Sequence, residues 1–261
     1  VAEIHARGLR FHVQQLGAEN TGPTVVFVHG LVMDNLSSFY YTLAAPLAKA
    51  GVRTILFDLR GHGLSARPET GYSPQDSALD LVAILDELGV HEPVHLLGNS
   101  YGGVVAMHAA LKAVHRVAGV VVVEAACAGR SGELWVEDIV NTLSVAALGL
   151  EYDRTGEQLL KLGQRKVAKL ATNADSLLNR TSLIDDLVSG ALLSEADLTQ
   201  VGCPVLGVFG AESELAGAAK DLDRLVPDCE THVIPGLGHT VLREATGELI
   251  QRVLTWLEKH P

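Results

Sequence analysis

The chain has 261 residues, 48% of them hydrophobic, with 20 Lys and Arg against 31 Asp and Glu for a net charge of −11. That apolar fraction, with only 20% charged residues, excludes a disordered chain, and an acidic balance with no basic cluster argues against a nucleic-acid partner. No apolar run approaches the ~20 residues that span a bilayer, and the opening stretch VAEIHARGLRFHV has no apolar signal core. A cytoplasmic protein without membrane contact is expected. Cys127, Cys203 and Cys229 are odd in number and not spaced as zinc pairs, so neither a disulfide framework nor a metal site is expected.

In chain order, Arg10–Gln15 reads as part of an antiparallel edge hairpin. Thr24–His29, Thr54–Asp58, Val94–Gly98, Val117–Val123 and Val205–Gly210 are nearly continuous apolar runs. Strands covered on both faces read this way, which predicts a mostly parallel central sheet. Between them, Ser38–Ala50, Pro74–Leu88 and Tyr101–Leu111 carry apolar residues at helical steps, with Ser73 as cap and Pro74 in the first turn of the second. This alternation predicts an α/β fold.

The rhythm breaks after Val123. Residues 128–200 show only helical patterns: Leu134, Trp135, Ile139, Leu143 and Leu148; then Leu159, Leu160, Val167 and Leu170; then Leu177, Leu178, Ile184 and Leu187. Strand character resumes at Cys203-Pro204, and a last strand is expected at Thr231–Ile234. The expected organisation is a core of 1–127 and 201–261 interrupted by a helical cap, 128–200.

The strongest chemical signal is Gly98-Asn99-Ser100-Tyr101-Gly102-Gly103, placed after an apolar strand and before a helix. In a G-x-S-x-G elbow the glycines make room for a strained turn that lifts the Ser hydroxyl clear of the sheet edge, and the helix N-terminus beneath favours developing negative charge. With it stand His29-Gly30, Asp58-Leu-Arg-Gly-His-Gly-Leu-Ser65 and Gly236-Leu-Gly-His239. Together these segments resemble the α/β-hydrolase family from about Phe11 to Trp256, with the helical insertion as its cap.

The resemblance implies Ser100 as nucleophile and His239 as general base, since a hydroxyl needs a base to attack an acyl carbon. It also implies an oxyanion hole from the backbone N–H groups of Leu31 and Tyr101. His29 and His62 are expected to brace the site. His91 and His95 are four apart, but Pro93 between them forbids the helix that would make them a ligand pair.

The acid departs from the family pattern. Most members carry Asp three residues after the Gly that ends the penultimate strand; here that position is Ser213. Glu214 or Glu212 in the same loop remains open, as does Glu124 after four valines. Haloalkane dehalogenases resemble the Glu124 arrangement. Burial favours Glu124, because a carboxylate at the end of an apolar strand is costly without a partner.

Dehalogenases and epoxide hydrolases of this fold attack with Asp, so Ser100 points to acyl transfer: a carboxylic ester, thioester or lactone, cleaved through an acyl-enzyme without cofactor. Met33, Trp135, Leu134, Ile139 and Leu143 are the expected substrate contacts. No Arg or Lys pair stands in the motif loops, so an uncharged, moderately apolar small-molecule acyl substrate is expected. A monomer and a homodimer are both compatible with the pattern. The alternatives are a C–C bond hydrolase of a vinylogous diketone, whose elbows also read Gly-Asn-Ser, a biosynthetic thioesterase or cyclase, and a low-turnover ligand receptor.

Overall fold

The computed structural model describes residues 2–153, 165–190 and 192–261. Eight strands are formed by the apolar runs: β1 (Ala2–Ala6), β2 (Leu9–Leu16), β3 (Thr24–Val28), β4 (Arg53–Phe57), β5 (Val94–Asn99), β6 (Val117–Val123), β7 (Val205–Gly210) and β8 (Cys229–Ile234). They form one sheet in the order β1-β2-β4-β3-β5-β6-β7-β8. β1, β2 and β4 pair antiparallel and all other neighbours pair parallel. The edge hairpin turns at Arg7 and Gly8, both with positive φ (48° and 76°), as a two-residue turn matched to strand twist requires.

Helices cover both faces and divide the core in two. On one side, α2 (Pro74–Glu87) and α3 (Tyr101–Lys112) bury Leu81, Ile84, Leu85, Val104 and Met107. On the other, α1 (residues 37–49) and the C-terminal helix (Thr246–Lys259) bury Phe39, Leu43, Leu47, Leu249, Val253 and Trp256. Ser73 accepts the Asp76 N–H at 3.1 Å and Pro74 opens α2, as its sequence predicts. α1 is not uniform. Tyr40–Ala44 forms a wide turn in which the Ala45 N–H reaches the Tyr40 carbonyl. Pro46, next in the chain, has no N–H to offer the carbonyl four residues back, and a widened turn absorbs the mismatch.

Between β6 and β7 the chain forms α4 (Gly129–Asp153), α5 (Arg165–Asn179), α6 (Leu183–Gly190) and α7 (Glu195–Leu198). The segment is tied to the sheet's loops. Tyr72 N–H donates to Asp186 at 2.7 Å, Ser182 N–H to the Glu69 carbonyl at 2.8 Å, and Leu193 N–H to the Cys127 carbonyl at 3.0 Å. The expected apolar residues Leu159 and Leu160 lie outside the described residues. After β7 come α8 (Ala216–Leu225), α9 (Val241–Glu244) and the closing helix, α10 (Thr246–Lys259).

Among the described residues no helix is long and apolar enough to cross a membrane, and no His, Cys, Asp and Glu cluster is arranged to hold a metal ion. Cys127 and Cys203 are buried free thiols. Burial pushes the Cys127 thiol up to about 12, which leaves it unreactive.

Candidate active site

The strand register brings the chemistry to one level. Asn99 on β5 pairs with Val123 on β6, and each strand then delivers one more residue, Ser100 and Glu124. The ladder continues through both: Ser100 N–H donates to the Val123 carbonyl at 2.9 Å, and Glu124 N–H to the Val208 carbonyl at 3.0 Å. Both lie at the C-terminal ends of parallel strands, where open α/β sheets place their ligands.

Ser100 sits at φ 53°, ψ −123°, a strained conformation for any residue with a side chain. The turn closes because its neighbours are glycine. A Cβ on Gly98 would strike the Gly102 carbonyl oxygen, and one on Gly102 would overlap the Val28 carbonyl oxygen. Four non-glycine residues have positive φ among the described residues: Arg7 in the hairpin turn, and Val32, Ser100 and Glu124. The last three all belong to this site.

Glu124 is 1% exposed and fully engaged. Oε1 accepts the Gly210 N–H. Oε2 accepts the Ser213 hydroxyl at 2.5 Å and His239 Nδ1–H at 3.1 Å. Ser213, at the position where the family pattern has Asp, therefore donates to the carboxylate and in turn accepts the Leu215 N–H at 3.1 Å. Its absence of charge was legible in the sequence; its contact with Glu124 was not. Glu214 Oε1 lies 3.6 Å from His239 Nδ1, but its side chain is 62% exposed. The Glu212 side chain is exposed, while its N–H holds the histidine loop through the Leu237 carbonyl at 2.8 Å.

His239 is partly buried, and its imidazole is held above its ordinary 6.5. The hydrogen bond to Glu124 is the main cause, burial opposes it, and the charges of Glu124 and Glu214 add to it. With Nδ1–H directed at Glu124, Nε2 is the nitrogen left to take a proton.

The loop after β3 abuts the elbow, since a Cβ on Gly30 would stand 3.6 Å from Ser100 Cβ. Its shape is set partly from within and partly by side chains from elsewhere. Gly30 N–H donates to Asp34 Oδ2 at 2.8 Å, and Met33 N–H to the Leu31 carbonyl at 2.8 Å across Val32 at φ 60°. Val32 N–H donates to His62 Nε2 at 2.8 Å. His62 Nδ1–H donates in turn to the Arg60 carbonyl at 2.8 Å. His29 repeats the pattern, accepting the Leu59 N–H at 3.0 Å and donating to the Gly30 carbonyl at 2.7 Å. Burial lowers both imidazoles, that of His62 to about 3, so each stays neutral with one fixed tautomer. Asp58 adds an anchor by accepting the Leu36 and Leu64 N–H groups, each at 2.9 Å.

A cavity of about 570 Å³ opens beside these groups. Leu31, Met33, Asn99, His239, Thr240 and Arg243 are on its wall, together with residues of α1. Of the other expected contacts, Leu134 is 52% exposed, Trp135 and Leu143 are buried in the core, and Ile139 packs against that core. Arg243 carries no motif signal. It reaches the cavity because α9 begins directly after the histidine loop.

A serine on a strained strand–helix turn, at the same end of the sheet as a buried carboxylate that binds a histidine, is the architecture of an α/β-fold hydrolase. The alpha/beta hydrolase family model matches residues 25–252, and the chain belongs to that family. It is 30% identical over 261 residues to 2-(acetamidomethylene)succinate hydrolase of Mesorhizobium japonicum, covering 91% of this chain and 88% of that protein. It is 29% identical over 267 residues to the dihydrolipoyllysine-residue acetyltransferase component of the acetoin cleaving system of Pseudomonas putida, covering 99% of this chain and 69% of that one. Among solved structures it resembles a membrane phospholipase A described as a bacterial virulence factor. The TM-score is 0.81 at 20% identity, covering 99% of this chain and 85% of the other, a likeness of fold.

Proposed function

We propose that the protein is a serine hydrolase that cleaves a carboxylic ester, thioester or lactone through an acyl-enzyme. The observation that carries this reading is the hydrogen bond from His239 Nδ1 to buried Glu124 at 3.1 Å, at the same sheet edge as Ser100. In this reading Ser100 Oγ attacks the acyl carbon as His239 Nε2 takes its proton. Glu124 holds the imidazole in the correct tautomer and stabilises its charged form. The Leu31 and Tyr101 N–H groups receive the oxyanion, and the strained Val32 peptide held by His62 aims the first of them. His239 then protonates the leaving group, and water repeats the sequence to release the acid. Every proton transfer uses a side chain of this chain, so the route needs no metal or organic cofactor. Residues 128–200 serve as the cap over the site.

A C–C bond hydrolase is the second reading. It is favoured by Asn99, which stands before Ser100 and lines the cavity. The test is hydrolysis of p-nitrophenyl esters of increasing acyl length by the wild type and Ser100→Ala. Turnover peaking at one length and lost in the variant is expected. Turnover retained in Ser100→Ala refutes the nucleophile, and no turnover of any ester, with release of a dienol from a vinylogous diketone, selects the second reading.

A further inference from the structure

Polar groups on the cavity wall fall into two sets. Ser37, Ser38 and Thr42 spend their hydroxyl protons locally, on Asn35 Oδ1 at 2.6 Å, on Asp34 Oδ1, and on the Ser38 carbonyl at 2.5 Å. Asp34 is likewise occupied, with three donors directed at it. The side chains of Arg243, Thr240 and Asn99 have no hydrogen-bond or ion-pair partner among the described residues, yet all three face the cavity that holds His239. Arg243 is solvent-exposed, so its guanidinium is hydrated and free to meet a ligand that enters this cavity.

We infer that Arg243, with Thr240 and Asn99, forms a carboxylate-binding subsite, so that the preferred substrate is an acyl compound that also carries a free carboxylate. This rests on the serine-hydrolase reading of the same site. A guanidinium presents a planar pair of N–H groups that matches a carboxylate in two parallel hydrogen bonds. Thr240 and Asn99 supply further donors for its remaining lone pairs. The subsite suits a monoanion rather than a phosphate dianion. It offers one positive charge, while Asp34 lines the same cavity and Glu214 lies 3.6 Å from His239. A second negative charge on the ligand would meet those carboxylates without compensation. The expectation of an uncharged substrate came from the motif loops alone, which end at His239, four residues short of this group.

The experiment compares ester pairs that differ only by methylation of a distal carboxylate, placed in the acyl half (p-nitrophenyl adipate half-ester) or in the alcohol half (3-carboxypropyl butyrate). The ratio of kcat/KM, free acid over methyl ester, is measured for the wild type, Arg243→Gln and Arg243→Glu. The wild type should favour the free acid by about tenfold or more in at least one pair, as expected for a charge-assisted contact. Arg243→Gln should bring that ratio to within about twofold of unity and Arg243→Glu should reverse it. A wild-type ratio near unity in both pairs, or one that survives in Arg243→Gln, overturns the subsite. If the wild type hydrolyses none of the esters, the catalytic reading fails separately, and glutarate binding by calorimetry decides the subsite. Affinity about tenfold weaker in Arg243→Gln upholds it, and equal affinity overturns it.

Discussion

Replacing Glu124 tests the site where the chain departs from the usual acid position. In Glu124→Gln the carboxamide oxygen can still accept the Gly210 N–H, but its NH2 then faces Ser213 Oγ and His239 Nδ1. An N–H cannot accept from Nδ1–H, so the imidazole turns to the tautomer with its proton on Nε2, and the nitrogen that should take the Ser100 proton is blocked. Loss of tautomer control together with loss of the buried charge places the expected fall in kcat at about 10³–10⁴. Glu214 sets the contrast. At 3.6 Å from Nδ1 and 62% exposed, its attraction in a water-like dielectric is only about 1 kcal/mol, so Glu214→Gln should cost about fivefold at most. Ser213 Oγ lies 2.5 Å from Glu124 Oε2, so an Asp at 213 would bring its carboxylate into the same space. Ser213→Asp alone should impair turnover, because two carboxylates in contact cannot both ionise. In Glu124→Gln/Ser213→Asp the same change should recover about tenfold or more over Glu124→Gln. Steady-state kinetics on one activated ester decide this, with circular dichroism to confirm folding. Glu214→Gln falling as far as Glu124→Gln, or no recovery in the double variant, refutes Glu124 as the acid.

Two further predictions concern pH. Glu124 holds the His239 imidazole above 6.5, and a general base must be neutral, so kcat/KM should rise with pH through a midpoint above 6.5. His239 titrated by NMR in Ser100→Ala should move down when Glu124→Gln is added; an unmoved midpoint would remove the coupling. The same pair stabilises the fold below 6.5, and that contribution is lost as pH rises through the folded-state value. His62 works in the opposite sense. It is neutral in the fold down to about 3 but takes a proton near 6.5 once unfolded, so its contribution is present above 6.5 and lost as pH falls. Over that window each pH unit costs about 1.4 kcal/mol for this one group. Urea unfolding between pH 7 and 5 should show a shallower acid slope in His62→Gln, and an equal slope would place the acid sensitivity elsewhere.

The elbow that carries Ser100 and the loop that carries His239 were legible because their settings are local. Gly98 and Gly102 are demanded by backbone collisions inside the elbow itself, Gly236 turns the histidine loop at φ 75°, and Gly210 leaves room for that loop against the end of β7, where a Cβ would strike the Leu237 carbonyl. The carboxylate that binds His239 was less legible because three candidates satisfied the sequence, and only burial separated them. Four consecutive valines before Glu124 carried that information; nothing in the sequence marked Ser213 as its hydrogen-bond partner. The helical segment shows the limit of periodicity. Trp135, Leu143 and Ala147 are buried along one line of four-residue steps that also carries Ile139, whereas Leu134 and Leu148, each one position off that line, are 52% and 55% exposed. A residue one step away lies about 100° around the helix, enough to move an apolar side chain from the core to solvent.

The distribution of strain explains how the parts hold their positions. Val32, Ser100 and Glu124 occupy backbone conformations that cost about 1–3 kcal/mol each, and each is fixed by contacts from a different segment. Val32 is held by His62 from the loop after β4, Ser100 by the β6 carbonyl of Val123, and Glu124 by Gly210 at the end of β7 and Ser213 after it. The strained residues are thus braced by neighbouring segments as well as by their own turns. In the proposed mechanism this keeps the Leu31 and Tyr101 N–H groups, the Ser100 hydroxyl and the Glu124 carboxylate in place before substrate arrives, so little reorganisation remains for the reaction itself. It also accounts for the separation of braces from chemistry among the histidines. His29 and His62 are buried and kept neutral where a loop needs a fixed acceptor, while His239 is partly exposed and held basic, as the proposed mechanism requires.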